Sequence, residues 1–162
     1  MTDETRKLIT TRSEFHDALR KAIAEAADQG CRELLLCDDD FADWPLGERQ
    51  VVEDLTRWAS SHRSFTIVAR HFDEIARRHA RWVEWRRTWA HIVQCRANNE
   101  LEAGQMPVML LAPGVVSVRL FDADVPRGAV SRERADAIVW REAVDAVLQR
   151  SEESFPATRL GL

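Results

Sequence analysis

The sequence predicts one α/β domain with a mixed sheet, and three observations carry that reading. Two short apolar runs without alternation, CRELLLC (31–37) and FTIVA (65–69), suit strands covered on both faces. The stretch between them has helical periodicity, and strand–helix–strand at this spacing is a right-handed crossover joining a parallel pair. Two further apolar runs, PVMLLA (107–112) and VVSVRLF (115–121), flank Pro113-Gly114, a turn signal that makes them a C-terminal hairpin. At 162 residues, 45% hydrophobic and 31% charged, the chain is long enough for one domain with a real core. The domain is expected over 11–150, after a lead-in or edge strand at 1–10 and before a poorly ordered tail at 151–162.

In chain order, Thr11-x-x-Glu14 has the form of a capping box. Phe15, Leu19, Ala22, Ile23 and Ala26 follow at helical spacing, with Gly30 as the stop. The first strand ends in Asp38-Asp39-Asp40. Val51, Leu55 and Trp58 set the core face of a second helix over 48–61. A third helix carries Phe72, Ile75, Trp82, Trp85 and Trp89 on one side, and HIVQCR (91–96) alternates as a strand. A polar loop (98–105) leads to the hairpin, and another loop (122–128) leads to a last helix. Ser131 is its expected cap, Trp140, Val144, Val147 and Leu148 its core face, and Arg150 its end.

A formal net charge of −4 does not favour nucleic acid or an anionic membrane overall, so such a partner would need a local patch. The first ten residues lack an apolar h-region, and no apolar run approaches the roughly 20 residues of a membrane helix, so a cytoplasmic location is expected. Three cysteines without CxxC spacing read as reduced thiols, which fits that compartment. GxGxxG, GxxxxGK[ST], GxSxG and HExxH are all absent, and no cofactor is implied.

The segment Arg70–Arg96 reverses the local charge, with seven Arg against three acids, three of the six Trp and three of the five His. Guanidinium groups bind phosphate in a bidentate fashion and Trp stacks on bases. Arg77, Arg78, His79, Arg81, Arg86 and Arg87 are therefore candidate ligands for a phosphate-bearing molecule or single-stranded nucleic acid. The plainer reading makes the Trp stripe core and the arginines a solvated face, because an apolar stripe at helical spacing is normally buried. Trp82, Trp85 and Trp89 also suit a subunit interface, and a homodimer is expected.

Asp38 and Asp40 come at the carboxyl end of a strand, where open α/β sheets place ligands, and Asp124 follows another strand. Together they are candidates for Mg²⁺, a hard ion that prefers oxygen, in a hydrolase or phosphotransferase. The competing reading is that these aspartates end strands and cap turns. The haloacid-dehalogenase pattern DxDx[TV] is not completed by Phe41-Ala42. His79, His91 and Cys95 lack the second ligand pair of a structural zinc site. Three following aspartates oppose any activation of Cys37 as a nucleophile.

The order of elements, with LLLCDDDFADWPL (34–46) and RRHARWVEWRRTWAHIVQCR (77–96), resembles one repeat of the phospholipase D-like fold, in a form found in bacterial domains. Catalytic members of that superfamily carry HxK and a downstream Asp. No His here is followed by Lys two positions on, and the only lysines are Lys7 and Lys21. The resemblance thus implies a half of that architecture without its phosphodiesterase machinery, and it adds to the expectation of a dimer, because single repeats often pair. The reading that results is a non-catalytic binding module for a partner protein or a phosphate-bearing ligand.

Overall fold

The computed structural model describes residues 5–157. In these residues the elements run β1 (Arg6–Ile9), α1 (Arg12–Gln29), β2 (Glu33–Cys37), α2 (Arg49–Trp58), β3 (Ser64–Ala69), α3 (Asp73–Arg78), α4 (Ala80–Thr88), β4 (Val93–Ala97), β5 (Val108–Ala112), β6 (Val116–Asp122), β7 (Arg127–Ser131), α5 (Arg134–Gln149) and β8 (Glu152–Glu153). The strands form one eight-stranded sheet in the order β1-β7-β6-β5-β2-β3-β4-β8. Strands β2, β3 and β4 are parallel, and the remaining pairings are antiparallel, so the sheet is mixed around a βαβ core as expected.

Alternation explains the layers. Leu34 and Leu36 of β2, Phe65 and Ile67 of β3, and Cys95 of β4 face the side carrying α1 to α4. Leu35, Cys37 and Val68 face the other side, where α5 packs with Trp140, Val144 and Val147. Four helices thus cover one face, and the single α5 crosses the other.

Helix α1 starts as its sequence requires. Glu14 N donates to Thr11 Oγ1 at 3.0 Å, and the Glu14 carboxylate reaches back to Thr10 N at 2.7 Å rather than to the cap residue itself. Gly30 ends the helix at φ 71°, a left-handed conformation cheap for glycine, with its N–H on Ala26 O. The indole of Trp58 at the end of α2 donates to Cys31 O at 2.7 Å and ties that helix to the start of β2.

Four expectations are corrected. The third helix is two helices, because His79 at φ −124° and ψ 56° closes α3 and opens α4. The loop expected at 122–128 contains the start of β7, which pairs with β6 and with β1. Its Gly128 is required there, since a Cβ would lie 2.0 Å from Arg119 O. Ser131 accepts from Glu133 N and donates to Asp136, but Glu133 is the residue at the helix boundary. The fourth is the tail, of which 151–157 is built into the fold. Glu152 and Glu153 pair with β4, and Phe155 stacks on Phe72 and Trp82 at centroid distances of 5.4 and 6.4 Å. Residues 158–162 of the tail and 1–4 of the lead-in lie outside the described residues.

Removing the Phe155 ring leaves Phe72 and Trp82 without their cover. Phe155→Ala is expected to cost about 2 kcal/mol and lower Tm by about 6 °C in thermal unfolding. Gly128→Ala, which drives a methyl into the β6 backbone, is expected to cost about 3 kcal/mol in urea titration.

Candidate functional site: the carboxyl rim and the α3–α4 elbow

Strands β2, β3 and β4 end on one rim, followed by Asp38–Asp40, by Arg70-His71 and by Asn98-Asn99. A ligand of an open α/β sheet is expected here, but the chain fills much of this rim itself. The connection from β4 to β5 returns over the ends of β3 and β2, where Arg70 Nε donates to Leu101 O at 2.9 Å. Gly104 N donates to Asp39 Oδ2 at 3.2 Å, and Met106 is buried among the residues under α5.

The aspartates of the rim serve the backbone. Asp38 Oδ2 accepts from Asp40 N at 3.1 Å and Phe41 N at 2.7 Å, and Asp40 Oδ1 accepts from Ala42 N at 3.0 Å. Burial pushes the Asp38 carboxyl up to about 6 even though these amides favour its ionised form. Asp124 lies beyond β6, two strands from β2, in a turn capped by Asp122. Asp38, Asp40 and Asp124 therefore do not come together. Among the described residues no group of three or more His, Cys, Asp or Glu side chains is placed to hold a metal ion. Cys37 is fully buried, and burial, with Asp38 beside it, raises its thiol far above the usual range. His91 precedes β4 and is exposed, so it does not share a strand face with Cys95.

The loop after Asp38 connects the rim to the elbow. Phe41 takes φ 60°, and its carbonyl faces His79 Nε2 at 2.7 Å. His79 is 6% exposed, and burial lowers its pKa, so the ring is neutral with its proton on Nε2. Gly47 leaves room for this arrangement, since a Cβ there would approach His79 Cα at 2.8 Å. His79 is thus a structural residue and not a surface ligand.

The other candidates divide by exposure. Trp82 and Trp85 are buried against Phe65, and Trp89 is half-buried, so Trp82 and Trp85 offer no stacking face to a base. Arg86 is 7% exposed and also leaves the surface set. Arg77, Arg78, Arg81 and Arg87 are exposed. Arg77 and Arg78 share Glu74, at 3.0 and 2.6 Å, and hold its carboxyl below its ordinary pKa. Arg87 bonds Glu84 at 3.2 Å, while Arg81 reaches only the Gly47 carbonyl, at 3.2 Å. Four guanidinium groups therefore face solvent with two bonded carboxylates between them.

One surface escaped the sequence reading. Leu8, Phe121 and Val139 are 68%, 53% and 58% exposed. Leu8 opposes Ala129, which opposes Arg119, and Phe121 follows Arg119 on the same face, against Trp140. Val139 lies one turn from Asp136, which binds Arg6 of β1. The open part of the α5 face thus carries exposed apolar side chains beside Arg6, Asp136 and Arg119. Its only signal in the sequence was Arg119 in the interior of an apolar strand.

No family model matches the chain, and no curated protein matches it in sequence. A solved structure of TrmBL2, described as an archaeal chromatin protein with a novel mode of DNA binding, is similar in fold. Its TM-score is 0.65 at 14% identity, over 93% of this chain and 54% of that one. The chain spans about half the length of that protein, and at this identity the likeness is one of fold.

Asp38 contributes a pH dependence with a definite sign. Its folded pKa lies above the ordinary carboxyl value of 3.8, so folding must take an ionised group into a site that favours the protonated one. The stability it allows is full below that ordinary value and is lost as pH rises toward about 6. Asp38→Asn keeps an acceptor for the two amides. Denaturant titrations are expected to show the variant gaining on the wild type between pH 4 and 7, by about 3 kcal/mol at the upper end.

Proposed function

We propose that this protein is a non-catalytic module that binds the phosphate backbone of a nucleic acid through the exposed arginines of the α3–α4 elbow. The observation that carries the reading is the local surplus of guanidinium. Arg77 and Arg78 divide one carboxylate, and Arg81 has none within ion-pair distance. A phosphate can displace such exposed, shared pairs at little cost, because surface ion pairs contribute about 1 kcal/mol or less. Trp82 and Trp85, being buried, take no part in base stacking. Contacts to phosphate alone position a protein without reading sequence, so weak, salt-dependent and sequence-tolerant binding follows. The fold shared with TrmBL2, a protein described as binding DNA, is consistent with this reading. So is the resemblance to a phospholipase D-like repeat without its HxK motif, which leaves a phosphate-facing fold without a nucleophile.

Fluorescence anisotropy with a labelled duplex of about 30 base pairs tests it. Four phosphate contacts give log Kd against log salt a slope of magnitude about 3 to 4. Arg77→Ala, Arg78→Ala and Arg81→Ala together are expected to reduce that slope by about 3, at about 1 per arginine. Absent binding at about 50 mM salt, or a slope that the triple variant leaves unchanged, overturns the reading.

The pairing expected through Trp82, Trp85 and Trp89 loses the first two side chains to the core, and we propose that two copies pair instead through the open part of the α5 face. The exposed apolar side chains Leu8, Phe121 and Val139 support this reading, since a self-complementary apolar patch suits a two-fold pair. Sedimentation velocity is expected to show a dimer that Val139→Asp, at a residue 58% exposed, converts to monomer. A wild-type monomer at about 100 μM would remove the assignment, since that concentration detects even micromolar association.

A further inference from the structure

Arg86 is the one candidate arginine that neither the surface nor an ion pair accounts for. It lies on α4 and is 7% exposed, yet no carboxylate among the described residues lies within ion-pair distance. Its Nε donates to Phe155 O at 3.2 Å, the guanidinium meets the Cys95 thiol, and its Nη1 has no hydrogen-bond partner among the described residues. An arginine does not shed its proton at physiological pH, and a buried cation without a counter-charge costs several kcal/mol, about 3 to 5. The side chain forms part of the wall of a crevice of about 410 Å³ between α4, β4 and the C-terminal segment, together with Gln94, Cys95, Glu153, Ser154 and Pro156. That volume is ample for a small oxyanion, and Gln94 and Ser154 add donors.

We propose that this crevice is a binding site for a small oxyanion, phosphate or a molecule with an equivalent group, held by the Arg86 guanidinium. With Nε on the Phe155 carbonyl, an Nη donor makes the charge-assisted hydrogen bond to such an anion. The thiol of Cys95 does not compete as a counter-ion, because burial pushes it up to about 11 and it stays protonated. Glu153 is the one acid on the crevice wall, and its charge opposes the anion. Phe155, whose carbonyl also binds Arg86, stacks on Phe72 and Trp82, so an occupied crevice strengthens the attachment of the C-terminal segment to α3 and α4.

The site is separate from the outward arginines, so its test is separate as well. Thermal unfolding of the full chain is followed with inorganic phosphate from zero to about 20 mM, ionic strength being held constant with chloride. A ligand that binds only the folded state raises Tm with concentration. The wild type and the Arg77→Ala/Arg78→Ala/Arg81→Ala variant are both expected to gain a few degrees. Arg86→Met, which keeps volume without charge, is expected to fold and to gain none, and Arg86→Lys to gain less than the wild type. Glu153→Gln is expected to strengthen phosphate binding several-fold. A flat wild-type Tm, or a rise that Arg86→Met retains in full, overturns the proposal.

Discussion

The hydrogen bond between the buried imidazole of His79 and the Phe41 carbonyl is the contact on which the arginine-bearing elbow depends. It joins the loop after β2 to the point where α3 hands over to α4, and both ends are specified. Asp38 fixes the loop by accepting from two backbone amides, and Phe41 then takes a left-handed conformation uncommon for a bulky side chain. Gly47 provides the clearance for His79. Because the ring is a donor in a site that penalises its charge, it is held in one tautomer and one orientation. With the junction pinned, α3 lays Ile75 on the core and α4 lays Trp82 and Trp85 on Phe65, which turns Arg77, Arg78, Arg81 and Arg87 toward solvent.

Arginine does several kinds of work here, and exposure decides which. At the elbow it forms short-range pairs within one or two helical turns, which are weak and exchangeable in water. Arg70 and Arg96 instead spend their donors on loops, the first on Leu101 O and the second on Ser151. Arg141 bridges α5 to Glu33 of β2 and fixes how the single helix crosses its face. Arg119 lies beside the rings of Phe121 and Trp140, at 5.5 and 6.0 Å, where its charge meets aromatic rings instead of a carboxylate. A formal charge of −4 conceals this distribution.

Most of the sheet was legible because its strands alternate between two buried layers. Leu34 and Leu36 go one way and Leu35 and Cys37 the other, and such runs have few alternatives in an α/β chain. What could not be read depended on partners distant in sequence. Strand β7 is five residues with a glycine whose reason is the approach of Arg119 O. The break at His79 leaves the apolar period of the segment almost undisturbed, since Ile75 and Trp82 are two turns apart, and its cause is a carbonyl 38 residues earlier. The aspartate run had the right position for a site and the wrong surroundings, because its oxygens were already engaged by local amides. Of the arginines, the helical spacing separated core from surface but misplaced Arg86, whose burial comes from the segment around Phe155.

The edges of the sheet have a consequence for how the chain reaches this structure. One edge is completed when Arg6 meets Ser131, and the other when Glu152 and Glu153 reach β4. Both closures join parts of the chain far apart in sequence, and such pairings make folding slow relative to a helical protein of equal size. During synthesis the parallel core β2–β4 is complete before β7 or Phe155 exists to finish it. A nascent chain therefore carries Phe72 and Trp82 without the Phe155 ring for an interval, and the sheet face under α5 is bare until Trp140, Val144 and Val147 arrive, which gives a chaperone its apolar target.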